Sequence, residues 1–320
     1  MKLIIQIPCY NEEKTLQITL EHLPQKVQGI DEIEILIIND GSTDNTVEVA
    51  KNNRVNHIVN INKNKGLANA FRIGIQNCLE LGADIIVNTD ADNQYKGEDI
   101  EKLVKPILKG QSDIVVGERD IESINDFSFI KKKLQKLGSM VVRLISKTDI
   151  PDVTSGFRAY SRETALRINV LTKYTYTLET IIQAGRSDMI IDSIPIRTNK
   201  KLRESRLFNS TWKYIYRSID TIIRIFAFYE PLKFFAFLGN LFMLFGLSLG
   251  IRFLILVYLL NSSDDRTYIP SIILGTSMII IAILVYIIGF LADVINHNRK
   301  LNEEILYKIK KIELKELLKK

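Results

Sequence analysis

The sequence is poor in cysteine and tryptophan, and it has no internal repeat and no low-complexity tract. Its two cysteines, Cys9 and Cys78, do not have the spacing of zinc ligands, and two are too few for a disulfide scaffold. We therefore expect the chain to face a reducing, cytoplasmic compartment. No apolar leader precedes the first strand-like run, residues 3–7, which argues against a cleaved signal peptide.

The positive charge of the chain is unevenly distributed. The net charge is +6, and the mean hydropathy of +0.06 is high for a soluble protein. Residues 1–198 hold 25 Lys and Arg against 27 Asp and Glu, so the basic surplus lies further along the chain. There it flanks two long apolar stretches, which favours contact with anionic lipid headgroups over binding of nucleic acid.

The two apolar stretches, residues 234–260 and 268–294, are each long enough to cross a hydrocarbon core of about 30 Å. Arg252 lies roughly 27 Å along the first predicted helix, where its side chain reaches the far headgroups. Lys and Arg are enriched outside the two stretches, whereas the loop that joins them is acidic. The pattern predicts a membrane hairpin with both termini on the cytoplasmic face.

Two further segments flank the predicted hairpin. Apolar and aromatic residues in 209–232, Trp212 and Ile219 among them, follow a 3.6-residue period and alternate with basic residues. This indicates an amphipathic helix lying in the membrane interface. Residues 297–320 indicate a charged, cytoplasmic helical tail that lies on the membrane surface or against a neighbouring subunit, so it is compatible with a homo-oligomer.

The remaining part, residues 1–208, alternates strand patterns with helical patterns. Such alternation predicts an α/β domain built on a mostly parallel sheet. Polar side chains follow four of the predicted strands, and the carboxyl ends of parallel strands share one edge of the sheet. The strand ends carry Pro8, Tyr10 and Glu12, then Asp40 and Ser42, then Asp90 and Asp92, and finally Glu118 and Arg119. We expect them to form one site.

The acidic turn that holds the third of these groups is the most informative stretch. Asp90 and Asp92 directly follow a short apolar strand, so both carboxylates are expected to project into the crevice at the sheet edge. Two crowded carboxylates repel each other unless a cation lies between them. Mg²⁺ or Mn²⁺, which can also hold a substrate diphosphate, is the cation that such oxygen ligands favour. A solvated acidic turn is the alternative for an isolated Asp-x-Asp.

Five motifs in order give the chain a specific resemblance. They are Pro8-Cys9-Tyr10-Asn11-Glu12-Glu13, Asn39-Asp40-Gly41-Ser42-Thr43-Asp44, Asp90-Ala91-Asp92-Asn93-Gln94, Gly117-Glu118-Arg119 and Thr154-Ser155-Gly156-Phe157-Arg158. Together they resemble glycosyltransferase family 2, in the branch of dolichol-phosphate mannose synthases and bacterial polyprenyl-phosphate glycosyltransferases. The resemblance covers about residues 1–210, and a two-helix membrane anchor also occurs in that branch. It implies a GT-A, Rossmann-like fold that uses a nucleotide-activated sugar.

The resemblance also implies roles for individual residues. It assigns the base and ribose contacts to Pro8, Tyr10, Glu12 and Asp40. It assigns the metal ligands to Asp90, Asp92 and Gln94. It assigns the phosphate contact to Arg119. A loop that closes over the site would contain Arg203, Ser205 and Arg206. We assign catalytic roles to Asp92, Arg119 and Arg158. Asn39 departs from the family, in which many members have Asp, and it either shapes the strand end or touches the base.

The acceptor is expected to be polyprenyl or dolichyl phosphate, held in the membrane lipid. Such a phosphate is already an anionic nucleophile, so no general base is required. A hydroxyl acceptor would need a carboxylate such as Asp152 or Glu179 to remove its proton. Asp152 could instead cap a turn, and Glu179 could lie on a helix face or pair with an Arg. Arg158 either binds the acceptor phosphate or pairs structurally with a carboxylate.

The sequence thus predicts a membrane enzyme that moves one sugar from a UDP- or GDP-linked donor to a lipid phosphate, with inversion implied by the resemblance. Two alternatives stay open. A processive polysaccharide synthase would need more spans and, by resemblance, a Gln-x-x-Arg-Trp motif, but the single tryptophan lies in Ser210-Thr211-Trp212-Lys213. A catalytically idle nucleotide-binding protein would be expected to have lost the metal carboxylates, and Asp90 and Asp92 are present.

Overall fold

The computed structural model describes residues 1–53, 55–119, 129–170, 176–199, 211–259 and 269–317. The chain divides into two compact units. The first contains Met1–Ser218 and Glu303–Lys320, and the second contains Ile219–Asn302.

A seven-stranded sheet forms the centre of the first unit among the described residues. Its strands are β1 (Lys2–Cys9), β2 (Glu32–Asn39), β3 (His57–Asn60), β4 (Ile85–Asn88), β5 (Ile114–Arg119), β6 (Arg158–Ser161) and β7 (Ile191–Ile196). The strands lie in the order β3-β2-β1-β4-β6-β5-β7. Only β6 runs antiparallel to its neighbours within this sheet, so the prediction of an α/β fold with a mostly parallel sheet is confirmed.

Ten α-helices accompany the sheet in the described part of the chain. They are α1 (Leu16–Glu21), α2 (Thr46–Asn52), α3 (Leu67–Glu80), α4 (Ile100–Leu108), α5 (Phe129–Ser146), α6 (Arg162–Arg167), α7 (Thr177–Arg186), α8 (Thr211–Tyr229), α9 (Pro231–Leu254) and α10 (Ile269–Leu317). The connections between the parallel strands β1, β2, β3 and β4 each contain a helix, as parallel pairing requires.

The order of the strands places a crevice between β1 and β4. The chain builds β2 and β3 on one side of β1 and then returns to place β4 on the other side. Open α/β sheets bind their ligands at the carboxyl ends of the strands at such a reversal. The fold alone therefore points to the loops that follow β1 and β4.

Burial on both faces makes β1 the centre of the core. Leu3, Ile4, Ile5 and Ile7 have no exposed surface, as expected for a central parallel strand covered by helices. Helix α3 approaches this strand closely at Gly74, where an added Cβ would lie 2.2 Å from the side-chain oxygen of Gln6. A residue with a side chain at this position would force α3 away from the sheet.

The second unit contains α9 and the apolar part of α10. Segments Pro231–Tyr258 and Ile269–Leu317 are long and apolar enough to cross a membrane, and the predicted stretches 234–260 and 268–294 fall largely within them. The helices approach closely at small residues, since a Cβ on Gly246 would lie 2.8 Å from the carbonyl oxygen of Gly275. Which side of the membrane each end faces stays a prediction, as do the domain boundaries.

The charged end of α10 packs within the first unit. The Tyr307 hydroxyl donates to Glu163, and Lys311 Nζ lies 3.2 Å from the same carboxylate. The guanidinium of Arg167 lies 4.0 Å from the centre of the Tyr307 ring, and Lys310 Nζ donates to Asn169 Oδ1 at 2.6 Å. The predicted partners of this tail were the membrane surface or another subunit, whereas these contacts are with α6 and the residues after it.

Tyr307→Ala tests this docking. Removing the buried ring should destabilise the docked tail by about 2 kcal/mol, because packing and the cation–π contact are both lost. We expect trypsin to cleave after Lys310 and Lys311 more than about tenfold faster than in the native protein. Leu306→Ala, on an exposed position of the same turn, is the control. Equal cleavage rates for the native protein and Tyr307→Ala would contradict the docked arrangement.

Candidate active site

The predicted polar side chains gather at the carboxyl edge of the sheet. Pro8 is the penultimate residue of β1, Asp40 directly follows β2, and Asp90 follows β4 by two residues. Arg119 is the last residue of β5, and β5 runs parallel to β4 because both are antiparallel to β6. The sheet thus places the strand-end groups of the sequence motifs along one edge.

The loops after β1 and β2 are bound to each other. Asn11 has a left-handed backbone with φ of 55°, and its N–H donates to Ser42 Oγ at 3.0 Å. Its side-chain oxygen accepts from the Thr43 N–H at 2.8 Å. The Glu12 carboxylate is buried and accepts from the Thr15 hydroxyl, whereas Tyr10 is 40% exposed. Tyr10 is therefore accessible to a ligand beside a fixed loop.

Asp40 holds a neighbouring loop against the end of β2. Its two carboxylate oxygens accept from the N–H groups of Lys65 and Gly66, each at 2.8 Å. Gly41 permits this approach, since a Cβ there would lie 2.6 Å from the carbonyl carbon of Lys63. Asp40 is 3% exposed, so it defines the wall of the crevice at this point.

Asn39 shapes the end of β2. Its side-chain oxygen accepts from the Ser42 N–H at 2.9 Å, and its amide donates to Asn60 Oδ1 on β3 at 2.9 Å. The side-chain oxygen and the side-chain nitrogen of Asn39 therefore both have hydrogen-bond partners inside the fold. This favours the first of the two interpretations of the departure from the family pattern, in which Asn39 acts on the strand end.

The acidic turn alternates exposed and buried residues. Asp90, Asp92 and Gln94 are partly exposed, whereas the residues between and after them are buried. Burial, followed by the nearby charge of Asp92, raises the pKa of Asp90 to about 7. The repulsion between these carboxylates would be relieved by a cation, and two carboxylates with an amide oxygen are suitable ligands for Mg²⁺ or Mn²⁺. The described residues contain no group of three or more His, Cys, Asp or Glu side chains placed to hold a metal.

A buried hydrogen-bond network joins β1, β4 and the loop before β6 next to the acidic turn. Gln6 on β1 donates to Asn88 Oδ1 on β4 at 3.0 Å. The Asn88 amide in turn donates to the Gly156 carbonyl at 2.8 Å and to the Tyr176 hydroxyl at 2.9 Å. Asn88 has no exposed surface, so these bonds compensate for its burial. The network connects both sides of the crevice to the loop that precedes β6.

Gly156 allows that loop to touch Asp90. A Cβ on Gly156 would lie 3.2 Å from Asp90 Oδ2 and 2.7 Å from the Tyr176 hydroxyl. The Gly156 N–H donates to the Tyr95 hydroxyl at 3.3 Å, and the Tyr95 ring stacks on Phe157 with centroids 4.9 Å apart. The glycine of the Thr-Ser-Gly-Phe-Arg motif is therefore required by the space around the carboxylate.

Arg119 and Asp152 form a bidentate ion pair. Arg119 Nε donates to Asp152 Oδ2 at 2.7 Å and Nη2 donates to Oδ1 at 3.1 Å, with a further bond to Thr154 Oγ1 at 2.9 Å. Burial alone would raise the pKa of Asp152, but the charge and hydrogen bonds of Arg119 outweigh it and lower the pKa below its usual value. The charge of Arg119 also opposes the rise in the pKa of Asp90, so this guanidinium acts on both carboxylates.

A comparison with known proteins identifies the family of the chain. The model of the family described as glycosyl transferase family 2 matches residues 4–167, half of the chain. The chain belongs to glycosyltransferase family 2.

Two curated relatives are named as transferases that act on dolichyl phosphate or dolichol phosphate. The UDP-N-acetylglucosamine–dolichyl-phosphate N-acetylglucosaminyltransferase of Methanococcus voltae is 34% identical over 60% of this chain and 83% of its own. The dolichol-phosphate mannosyltransferase of Pyrococcus furiosus is 29% identical over 70% of this chain and 67% of its own.

A solved structure shows the same fold. Glucosyl-3-phosphoglycerate synthase of Mycobacterium tuberculosis, crystallised with Mn²⁺, UDP and glucosyl-3-phosphoglycerate, superimposes with a TM-score of 0.53 at 18% identity. The match covers 71% of this chain and 79% of that one. At this identity the likeness supports the GT-A-like fold of the glycosyltransferase.

Arg158 of the glycosyltransferase lies inside the core, and this does not support its expected catalytic role. It has no exposed surface, and its described hydrogen bonds go to the carbonyls of Ser155, Thr177 and Val153 and to the Thr180 hydroxyl. A guanidinium directed at backbone carbonyls is not available to an acceptor phosphate. The structure favours the internal alternative, with carbonyl partners in place of the expected carboxylate.

Other predicted residues have different outcomes. Glu179 is 4% exposed on α7, which places it inside the first unit. Arg203, Ser205 and Arg206 lie outside the described residues. Asn88, Tyr95 and Tyr176 were not predicted from the sequence as parts of the site. Asn88 could have been found, because it is a polar residue at the end of an apolar strand, opposite Gln6 in another apolar strand.

Arg119→Lys tests the ion pair. Lysine cannot form both bonds to Asp152, so the carboxylate keeps a single contact. The positive charge near Asp90 also changes its position. We expect kcat/KM for sugar transfer by the glycosyltransferase to fall at least about tenfold, with a small change in melting temperature. Arg72→Lys, at an exposed position on α3, is the matched control. An unchanged kcat/KM would remove Arg119 from the site.

Proposed function

We propose that this glycosyltransferase transfers a single sugar from a UDP- or GDP-linked donor to a polyprenyl or dolichyl phosphate at the cytoplasmic face of a membrane. The named activities of the relatives from Methanococcus voltae and Pyrococcus furiosus support the acceptor class. Two helices that are long and apolar enough to cross a membrane support a membrane-bound enzyme, because such an acceptor never leaves the bilayer.

The observation that carries the proposal is the state of Asp152. A hydroxyl acceptor would need a base to remove its proton, and Asp152 was a sequence candidate for that base. In the structure, both of its oxygens accept from Arg119, and its pKa is lowered. A carboxylate in this state is a weak proton acceptor. A lipid phosphate needs no base, because it already carries negative charge at neutral pH.

The donor would bind across the crevice between β1 and β4. Pro8, Tyr10 and Glu12 would line the base and ribose, with Asp40 at the wall beside the base. Asp90, Asp92 and Gln94 would hold Mg²⁺ or Mn²⁺, which neutralises the charge that develops on the departing nucleoside diphosphate. Arg119 carries a permanent positive charge beside Asp90 and would stabilise the same leaving group.

The acceptor phosphate would attack the anomeric carbon from the face opposite the leaving diphosphate, which inverts the configuration. The loop with Gly156 lies beside Asp90, since a Cβ on Gly156 would come within 3.2 Å of the Asp90 carboxylate. The bond from the sugar to the diphosphate breaks as the bond to the acceptor phosphate forms. The negative charge passes to the nucleoside diphosphate without transfer of a proton.

Asp92→Asn tests the donor site. The substitution keeps the size of the side chain and removes a charged ligand, so we expect at least a hundredfold loss of transfer with an unchanged melting temperature. Glu101→Gln, at an exposed carboxylate on α4, should retain full activity. Turnover by Asp92→Asn close to that of the native protein would exclude the metal role.

A transfer assay tests the whole reaction. Protein purified in detergent is incubated with polyprenyl phosphate, Mg²⁺ or Mn²⁺, and a panel of radiolabelled UDP- and GDP-sugars, with and without EDTA. We expect label from one donor to enter the organic phase only when the metal is present. Label that appears on a soluble hydroxyl acceptor, with none on the lipid, would overturn the acceptor assignment.

A further inference from the structure

One residue beyond the established motifs binds the turn that carries Asp92 and Gln94. The Asn199 N–H donates to the Gln94 carbonyl at 2.9 Å. Its side-chain amide lies 3.0 Å from the Asn93 carbonyl, 3.3 Å from Asn93 Oδ1 and 3.4 Å from the Tyr95 carbonyl. A single asparagine thus donates to acceptors on three successive residues of the turn.

The turn has a conformation that needs such support. Asn93 has a left-handed backbone with φ of 56°, which an L-residue adopts at an energetic cost. On the other side, His22 Nδ1 lies 3.0 Å from Asn93 Oδ1. Within the turn, the Gln94 N–H donates to Asp92 Oδ1 at 3.1 Å. The separation of the Asp92 and Gln94 side chains depends on this backbone, because Asn93 is the residue between them.

The segment that supplies Asn199 is itself fixed. The N–H of Arg197 donates to Asp99 Oδ2 at 2.8 Å, and its guanidinium donates to Asp99 Oδ1 at 3.0 Å. The Asp99 side chain has no exposed surface, so this anchor is rigid. A backbone bridge between Tyr95 and Thr198 adds a further contact between the two segments.

We propose that Asn199 is a positioning residue for the metal ligands Asp92 and Gln94. Its amide holds the left-handed turn so that the two side chains reach a divalent cation and its diphosphate together. The proposal rests on the proposed function, since it takes this turn as the metal site. Outer residues that orient metal ligands commonly affect metal affinity by about 10–100-fold when they are mutated.

The test measures Mn²⁺ binding directly. Mn²⁺ is titrated into the purified full-length protein with UDP or with GDP and followed by electron paramagnetic resonance. For Asn199→Ala we expect about 10–100-fold weaker Mn²⁺ binding. Hydrogen exchange in the peptide covering residues 88–97 should become faster, because the amide no longer restrains the turn. The readouts do not depend on transfer activity.

Two further variants complete the test. Thr198→Ala, an exposed neighbour that keeps the backbone bridge, should bind Mn²⁺ like the native protein. Asn199→Asp keeps the volume of the side chain but places a carboxylate against the carbonyls of the turn, so it should weaken binding at least as much as Asn199→Ala. If Asn199→Ala fails to fold, the Mn²⁺ affinity of Asn199→Asp is compared with that of the native protein instead.

The outcomes separate the two proposals. Native-like Mn²⁺ affinity and exchange in both Asn199 variants would overturn the positioning role and leave the proposed function intact. Equal Mn²⁺ affinity of the native protein and Asp92→Asn would overturn the metal site, and with it the role of Asn199. Weaker binding in the Asn199 variants, with Thr198→Ala unchanged, is the result that the proposal predicts.

Discussion

The hydrogen bond between Gln6 and Asn88 fixes the register of the two central strands on which the site depends. The residues are paired across β1 and β4, and neither has any exposed surface. A slip of one residue would break this bond between two buried amides, and a buried polar group left without its partner costs more than the bond itself contributes. Because Asn88 also binds the carbonyl of Gly156, the same interaction places the acidic turn, the loop before β6 and the end of β1 around one crevice.

The charges around that crevice are arranged unequally. Burial raises the pKa of Asp90 most, the nearby negative charges of Asp92 and Glu12 raise it further, and Arg119 only partly opposes these effects. Arg119 also binds Asp152 through two hydrogen bonds, so Asp152 offsets most of its positive charge. The turn with Asp90 and Asp92 therefore favours a cation. A divalent metal bound to a nucleoside diphosphate would supply that cation.

Much of this arrangement could be predicted from the sequence, because polar residues directly after apolar strands must meet at one edge of a parallel sheet. The partners of Arg158 could not, since backbone carbonyls carry no sequence pattern. The docking of Tyr307 on Glu163 was also missed, because the charged residues of the tail are equally suited to lipid or to another subunit. Asn199 was missed for a similar reason. It donates to carbonyls of a turn, and the conformation of that turn is not evident from the sequence.

The most direct test of the central claim is a structure of the protein with Mn²⁺ and UDP or GDP. We expect the diphosphate to lie over the turn from Asp90 to Gln94, with the base between Tyr10 and Asp40. We also expect Arg119 to keep its bonds to Asp152 in the complex. A nucleotide bound away from the carboxyl ends of β1 and β4 would contradict the assignment of this crevice as the donor site.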